Sequence, residues 1–363
     1  MKTIAYYISE YGYGHATRST ALIRELMNHS EVRVVICNSF AMDFIMDSLQ
    51  EHGDRIVYHR ASTDVGYVLK EQSLDIDSAA LNEACRYYLK TLPDVVSAEA
   101  AFLQDYDVDL IISDISPLAL EVAESLQLPS LGISNFTWHT AYKNVINQEL
   151  LAAFADSYDK MDYFFSLAGS VEPQWGTKDN QSFGFFSRRV SETEVRRIRD
   201  SLDPQGDKHL VFLPIGMKID MGDITKLPLW NRENCIFVVS SNMTIDHPNV
   251  HKIPSSYTEV QNFVAAADLV ISKAGWGTIS EAAGNGTSLA IINRPGMNED
   301  QNTIAYLEVH RLCELITWED LDDLNLETYI KKAKLEHLNE VGLLAESVID
   351  ILEIEANTEK EGL

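Results

Sequence analysis

Along the first half of the chain, short apolar runs alternate with longer segments in which apolar positions recur every three or four residues. The runs at 3–8, 33–38, 56–58, 109–113, 130–133 and 163–167 are rich in β-branched and aromatic residues and predict strands. Segments 16–29, 40–52, 79–104, 117–126 and 138–157 predict helices between them. Such alternation implies a parallel sheet with helices on both faces. At 169–182 the pattern lapses into GSVEPQWGTKDNQS, a linker composition. A strand at 183–186 and a helix opening at Ser191 follow, where Ser191 and Glu194 have the spacing of a capping box. The alternation then resumes with strands at 209–213, 236–239, 250–253, 269–272 and 289–292. The expectation is two consecutive doubly wound domains, 1–170 and 171–345, facing a central cleft. Residues 346–363 add a C-terminal helix and an acidic tail that frays from Ala356.

Composition narrows the function. With 363 residues and 45% hydrophobic content, the chain has material for two ordinary soluble cores. No apolar stretch approaches the roughly 20 residues that span a bilayer. The opening MKTIAYYISEYGYGH reads as a first strand and not as a signal peptide. Cys37, Cys85, Cys235 and Cys313 are far apart, without metal-ligand spacing, which predicts buried thiols in a reducing cytoplasm. The net charge of −26 argues against nucleic acid and anionic lipid as partners. It also repels a nucleotide diphosphate, so binding one requires locally arranged N–H donors and a few cations.

Residues 268–301, DLVISKAGWGTISEAAGNGTSLAIINRPGMNEDQ, offer such an arrangement. An apolar strand enters the turn Gly275-Trp276-Gly277, which opens a helix at about Thr278. Unpaired amides and the helix dipole at such a turn favour a phosphate, and Lys273 stands beside it. Glu281 lies one turn further on and leans back toward the helix start, where sugar hydroxyls beside a diphosphate would lie. The segment therefore reads as a nucleotide-sugar site. At the other end of the chain, strand one runs into Ser9-Glu10-Tyr11-Gly12-Tyr13-Gly14-His15, with a helix near Ala16. Gly12 and Gly14 are counted with the donor contacts. The turn lacks the third glycine of the dinucleotide fingerprint. His15 would sit where a helix N-terminus meets the C-terminal sheet edge, a place that disfavours the imidazolium and suits a proton acceptor. A histidine simply hydrogen-bonded in a tight turn is the equal alternative.

GYGHATRS followed by DLVISKAGWGTISEAAGNG and a downstream EDQ resembles the GT-B glycosyltransferase superfamily. The likeness points to the branch of the lipid II N-acetylglucosaminyltransferase and galactolipid synthases, and to the related UDP-sugar hydrolase of pseudaminic acid synthesis. The N-terminal motif is also similar to the front domain of plant arabinokinases. The resemblance implies an α/β fold of two Rossmann-like domains. It also implies inverting, metal-independent transfer of a sugar from a nucleotide-sugar, with uridine as the base, to an acceptor hydroxyl. By that likeness Gly275, Trp276, Gly277 and Thr278 would cradle the diphosphate and Glu281 would take the ribose hydroxyls. Glu299, Asp300 and Gln301 would hold the donor sugar, the base would rest near Ile253, and His15 would act as general base. Trp276 departs from the small residue usual there, narrowing the pocket or stacking on a ligand. In Pro214-Ile215-Gly216-Met217 only Gly216 remains of the family's glycine-rich loop. Two alternatives keep the fold: a hydrolase using water as acceptor, and a non-catalytic sugar or nucleotide sensor.

Several residues admit two readings. Asp114 either orients His15 or an acceptor hydroxyl, or caps the helix entered at Pro117. Glu281 is otherwise a solvated helix carboxylate, and Glu299–Gln301 a helix cap. Residues 135–139, Asn-Phe-Thr-Trp-His, favour core packing over sugar stacking. Arg188, Arg189, Arg196, Arg197 and Arg199 read as a solvated helix face. The triplets Asp75-Ile76-Asp77 and Asp105-Tyr106-Asp107 match a metal-binding pattern by chance in a chain rich in aspartate, so no metal or cofactor is expected. The acidic chain favours a soluble acceptor.

Overall fold

The computed structural model describes residues 1–71, 75–214, 224–294, 296–330 and 339–361. The chain forms two compact units. The first comprises Met1–Val68, Ile76–Gly184 and Glu340–Leu363; the second comprises Leu69–Asp75 and Phe185–Asn339.

In the first unit, strands β1 (Lys2–Ile8), β2 (Val32–Cys37), β3 (Ile56–His59), β4 (Leu110–Asp114), β5 (Ser130–Ser134), β6 (Tyr163–Ser166) and β7 (Asp179–Ser182) form one sheet. Its order is β3-β2-β1-β4-β5-β6-β7, and every pairing is parallel. Helices α1 (Tyr13–His29), α2 (Met42–Leu49), α3 (Ser78–Leu103), α4 (Pro117–Leu126), α5 (Trp138–Tyr142) and α6 (Gln148–Tyr158) make the connections. Central strands are apolar on both sides because both faces are covered. Ala5 and Tyr7 of β1 share a core with Leu92 and Leu103 of α3 and with Leu118 and Val122 of α4. Ile4, Tyr6 and Ile8 alternate onto the opposite face and are equally buried.

The second unit holds helix α7 (Glu192–Leu202) and strands β8 (His209–Leu213), β9 (Cys235–Val239), β10 (Val250–Lys252), β11 (Leu269–Lys273), β12 (Ser288–Ile292) and β13 (Glu314–Ile316). Helices α8 (Gln261–Ala266), α9 (Trp276–Asn285), α10 (Asn298–Val309), α11 (Asp320–Asp323) and α12 (Leu326–Ile330) complete it. The sheet order is β10-β9-β8-β11-β12-β13, all parallel. Val211, Phe237, Ile271 and Ile292 from four of these strands pack with Trp230, Leu321 and Leu326. Helix α13 (Val341–Glu361) returns to the first unit and packs along α1.

Both sheets have the order of a doubly wound fold, in which the connections reverse direction between β1 and β4 and between β8 and β11. Ligands bind such sheets outside the carboxyl ends of the strands at that reversal. The expected pair of parallel α/β domains is what the chain forms, with local corrections. The stretch expected as linker contains β7, a polar edge strand held to β6 by backbone pairing. No strand covers 183–186; Phe185 and Phe186 are buried packing residues instead. The helix expected over 138–157 is two, parted where Asn144 takes a left-handed φ of 66°. The last helix is described past Ala356, to Glu361. Cys37, Cys85 and Cys235 are buried, whereas Cys313 is half-exposed.

Candidate functional site

The reversal in the first sheet carries His15 and Asp114. β1 ends at Ile8, whose register partner in β4 is Asp114. Gly12, at φ 86°, turns the chain into α1, and a side chain there would meet open space but a strained backbone. Helix α1 therefore starts at Tyr13, has no side-chain cap, and brings His15 into its first turn, with Gly14 exposed beside it. Ile115, a β-branched residue at φ 56°, follows Asp114 and is held there by Tyr158, whose hydroxyl donates to its carbonyl at 2.6 Å. Ser116 occupies the cap position of α4, so Asp114 is not spent on that helix.

Instead, His15 Nδ1 lies 2.9 Å from Asp114 Oδ1. Arg18, one turn along α1, donates from Nε to Asp114 Oδ2 at 2.9 Å and from Nη2 to Oδ1. Its Nη1 donates to Asn135 Oδ1 at 2.7 Å, and Nη2 also reaches Ser134 Oγ at 3.0 Å. Ser19 Oγ donates to Asp114 Oδ2 at 3.1 Å. The side chains of His15, Arg18 and Asp114 are all buried. Burial alone would raise the Asp114 carboxyl, but the Arg18 guanidinium and His15 outweigh it and hold the carboxyl well below its usual range. Burial lowers the His15 imidazole; Asp114 opposes this and Arg18 adds to it, so the net shift is downward. An ionised carboxylate can only accept, so Nδ1 carries the ring proton and Nε2 keeps its lone pair. Nε2 makes no hydrogen bond among the described residues. The arrangement is a neutral imidazole, held in one orientation by Asp114 and able to accept a proton at Nε2.

Phe136 and Trp138 are core residues, as the sequence favoured, although the Phe136 ring stands 5.8 Å from the imidazole. Arg18, Ser134 and Asn135 complete a network for which the linear sequence gave no signal beyond the Arg18 of the first motif.

In the second unit β11 delivers Lys273 to its carboxyl end, and Gly275 caps α9 without any side-chain hydrogen bond. The amides of Gly277 and Thr278 meet no acceptor among the described residues. Among the described residues, a Cβ placed on Gly275 would meet only the Lys273 stem, at 3.6 Å. Lys273 is half-buried and makes no hydrogen bond or ion pair among the described residues. Burial lowers its ammonium and the Arg294 charge lowers it further, while Asp300 and Glu299 pull the other way. Amides and a cation without partners among the described residues, at one helix end, are groups suited to receive an anion.

Other predicted donor residues are committed differently. The Trp276 indole is buried against Phe185 and Phe186, with centroids 5.6 and 5.3 Å away. Glu281 is buried and not solvated; its Oε1 accepts from Arg188 Nη2 at 2.7 Å and Nε at 3.2 Å. Burial raises its carboxyl and Arg188 offsets only part of that. Arg188 is thus no surface residue. It precedes α7, whereas Arg196 and Arg197 lie exposed on that helix beside Glu192 and Glu194, and Arg199 pairs with Asp268. Ser191 Oγ accepts from the Glu194 amide at 3.3 Å, one half of the capping box; the Ser191 amide goes to Asn262. The Ile253 amide donates to the Val239 carbonyl at 3.0 Å. Asp300 is buried against Arg294, with Nε at 2.7 Å. Gln301 braces the segment before α10 through Asn293 and the Arg294 carbonyl, and Glu299 shares that first turn. None of the three is the cap of α10, which is Met297. Gly216 lies outside the described residues. Asp77 caps α3 through the Ala80 amide at 2.9 Å.

Residues 2–156 match a glycosyl transferase family 1 model, and residues 239–347 match the C-terminal domain of glycosyltransferase family 28. L-arabinokinase of Arabidopsis thaliana is 24% identical over 82% of this chain, and the chain spans 28% of that protein's length. Among solved structures, the glycotransferase of kitacinnamycin superposes with a TM-score of 0.62 at 16% identity, covering 98% of this chain and 99% of that one. Phytolacca americana UGT2, complexed with UDP-2fluoro-glucose and pterostilbene, gives 0.61 at 11% identity, over 97% and 90%.

Proposed function

We propose that this chain, a glycosyltransferase of the GT-B superfamily, moves a sugar from a uridine-diphosphate donor to an acceptor hydroxyl with inversion and without a metal. The observation that carries the reading is the His15–Asp114 pair at 2.9 Å, buried at the reversal of the first sheet. His15 Nε2 takes the hydroxyl proton as the oxygen attacks the anomeric carbon, and the imidazolium formed is stabilised by Asp114. The nucleoside diphosphate leaves with growing negative charge, which the α9 amides and Lys273 offset in place of a metal ion. The UDP-sugar in the complex of UGT2 supports uridine as the base. The arabinokinase likeness supports trying activated arabinose among the donors.

The test is a thermal-shift panel of nucleoside diphosphates and their sugars, followed by turnover of the donor that stabilises most. His15→Ala should lower turnover by about 10²–10⁴-fold while donor binding persists. Unchanged turnover removes His15 from the mechanism. Release of free sugar from the donor alone replaces the acceptor hydroxyl by water. Failure of every nucleotide to bind at millimolar concentration sinks the reading.

A further inference from the structure

The His15 imidazole has two neighbours that ask for opposite tautomers. Asp114 can only accept and requires a proton on Nδ1. Arg18 Nη2, 3.0 Å from the same nitrogen, can only donate and would favour the proton on Nε2. A ring protonated on Nε2 cannot accept the proton of an attacking hydroxyl. The outcome depends on where the two Nη2 protons go, and both have acceptors elsewhere: Asp114 Oδ1 and Ser134 Oγ. With Nε on Oδ2 and Nη1 on Asn135, the fork is pinned by β4 and β5 together.

We propose that Arg18 is a positioning residue for the base, and that Ser134 makes it one by taking the Nη2 proton that would otherwise point at His15 Nδ1. This rests on the assignment of His15 as base, but its first readout does not need catalysis. The arrangement has a second consequence. Among the described residues, the charged groups facing the imidazole are Asp114 from β4 and Arg18 from α1 itself; β5 presents neutral Ser134, Asn135 and Phe136. The nearby Tyr6 phenol of β1 is kept protonated by burial. Asp114 stabilises the imidazolium, and Arg18 destabilises it, so the guanidinium keeps the base unprotonated further into the acid range.

Nitrogen-resolved NMR of the imidazole in the full chain tests both consequences. The unaltered protein should show the Nδ1–H tautomer at neutral pH. Ser134→Ala, which leaves the guanidinium in place, should bring in the Nε2–H form and lower kcat with donor KM unchanged. Arg18→Met should raise the His15 titration midpoint by about one pH unit, and the acid limb of the kcat profile should follow it. Arg18→Lys, which restores the charge, should bring the midpoint back. A Ser134→Ala protein with the tautomer intact overturns the proposal, as does an Arg18→Met protein whose midpoint stays put. If Arg18→Met does not fold, the tautomer of Ser134→Ala decides. If the unaltered chain transfers no sugar while both NMR changes occur, the proposed function fails and the positioning role stands.

Discussion

At the reversal of the first sheet, Asp114 accepts from His15, Arg18 and Ser19, all within a buried network. At the reversal of the second, Lys273 and the Gly277 and Thr278 amides have no partner among the described residues. At the same topological position the polar groups are paired in one unit and have no partner among the described residues in the other. A base must have its tautomer and orientation set before substrate arrives, and this takes a complete set of partners. A diphosphate site must retain donors for a ligand that brings its own charge, so its groups are left unsatisfied until binding. The contrast predicts different responses to substitution at the two places.

The largest response belongs to Asp114→Asn. It removes the acceptor that fixes the His15 tautomer, and turnover should fall by about 10²–10⁴-fold, comparable with loss of the base. It also strands the Arg18 guanidinium without its buried counter-ion, which typically costs about 3–5 kcal/mol. Denaturant unfolding should register that cost, while nucleotide affinity per folded molecule stays the same. Equal losses of turnover and nucleotide affinity would erase the distinction between the sites.

The first unit holds a second buried carboxylate with the opposite behaviour. Asp64 accepts from the Trp138 indole at 2.9 Å and from the Glu10 amide at 3.2 Å, and so ties the loop ahead of His15 to α5. Burial pushes its carboxyl up to about 7, more than the Ser9, Trp138 and Glu10 hydrogen bonds draw it down. The folded state therefore binds a proton more tightly than the unfolded chain. Its contribution is fully present below the ordinary aspartate range and is lost as pH rises toward 7, by up to about 4 kcal/mol in all. Asp64→Asn should flatten this slope and leave the protein more stable than the parent at pH 8. An unchanged pH dependence of the unfolding midpoint would remove Asp64 from this role.

How far the sequence revealed these sites follows from the same physics. Strands buried on both faces, such as 110–114 and 235–239, announce themselves as apolar runs. The edge strand Asp-Asn-Gln-Ser of β7 buries little side-chain area, so no periodicity marks it. β13 is three residues long, too short for a pattern. The place of His15 was legible from the glycine turn between strand and helix, while its role stayed open between a proton acceptor and a hydrogen-bonded turn residue. Its partnership with Asp114 spans 99 positions and is decided by the pairing of β1 with β4, which no local pattern encodes. Arg188 was illegible for another reason. It was read as solvent-facing, and only the buried carboxylate of Glu281 draws it into the core.

The smallest response is expected at Lys273. Replacing it by Met removes one charge-assisted contact to a diphosphate, worth about 1.5–3 kcal/mol or roughly ten- to hundredfold in Kd. The α9 amides remain, so binding weakens without vanishing, and a nucleoside lacking phosphates should bind both proteins alike. Since the half-buried Lys273 ammonium loses its proton more readily than an ordinary lysine, diphosphate affinity of the parent should decline on the alkaline side as that proton leaves. The variant has no such charge to lose and should show no such decline. Titration of UDP against both proteins across neutral to alkaline pH reads this directly. If the two curves run parallel, Lys273 is not part of the anion site, and the open helix end has to hold the diphosphate through its amides alone.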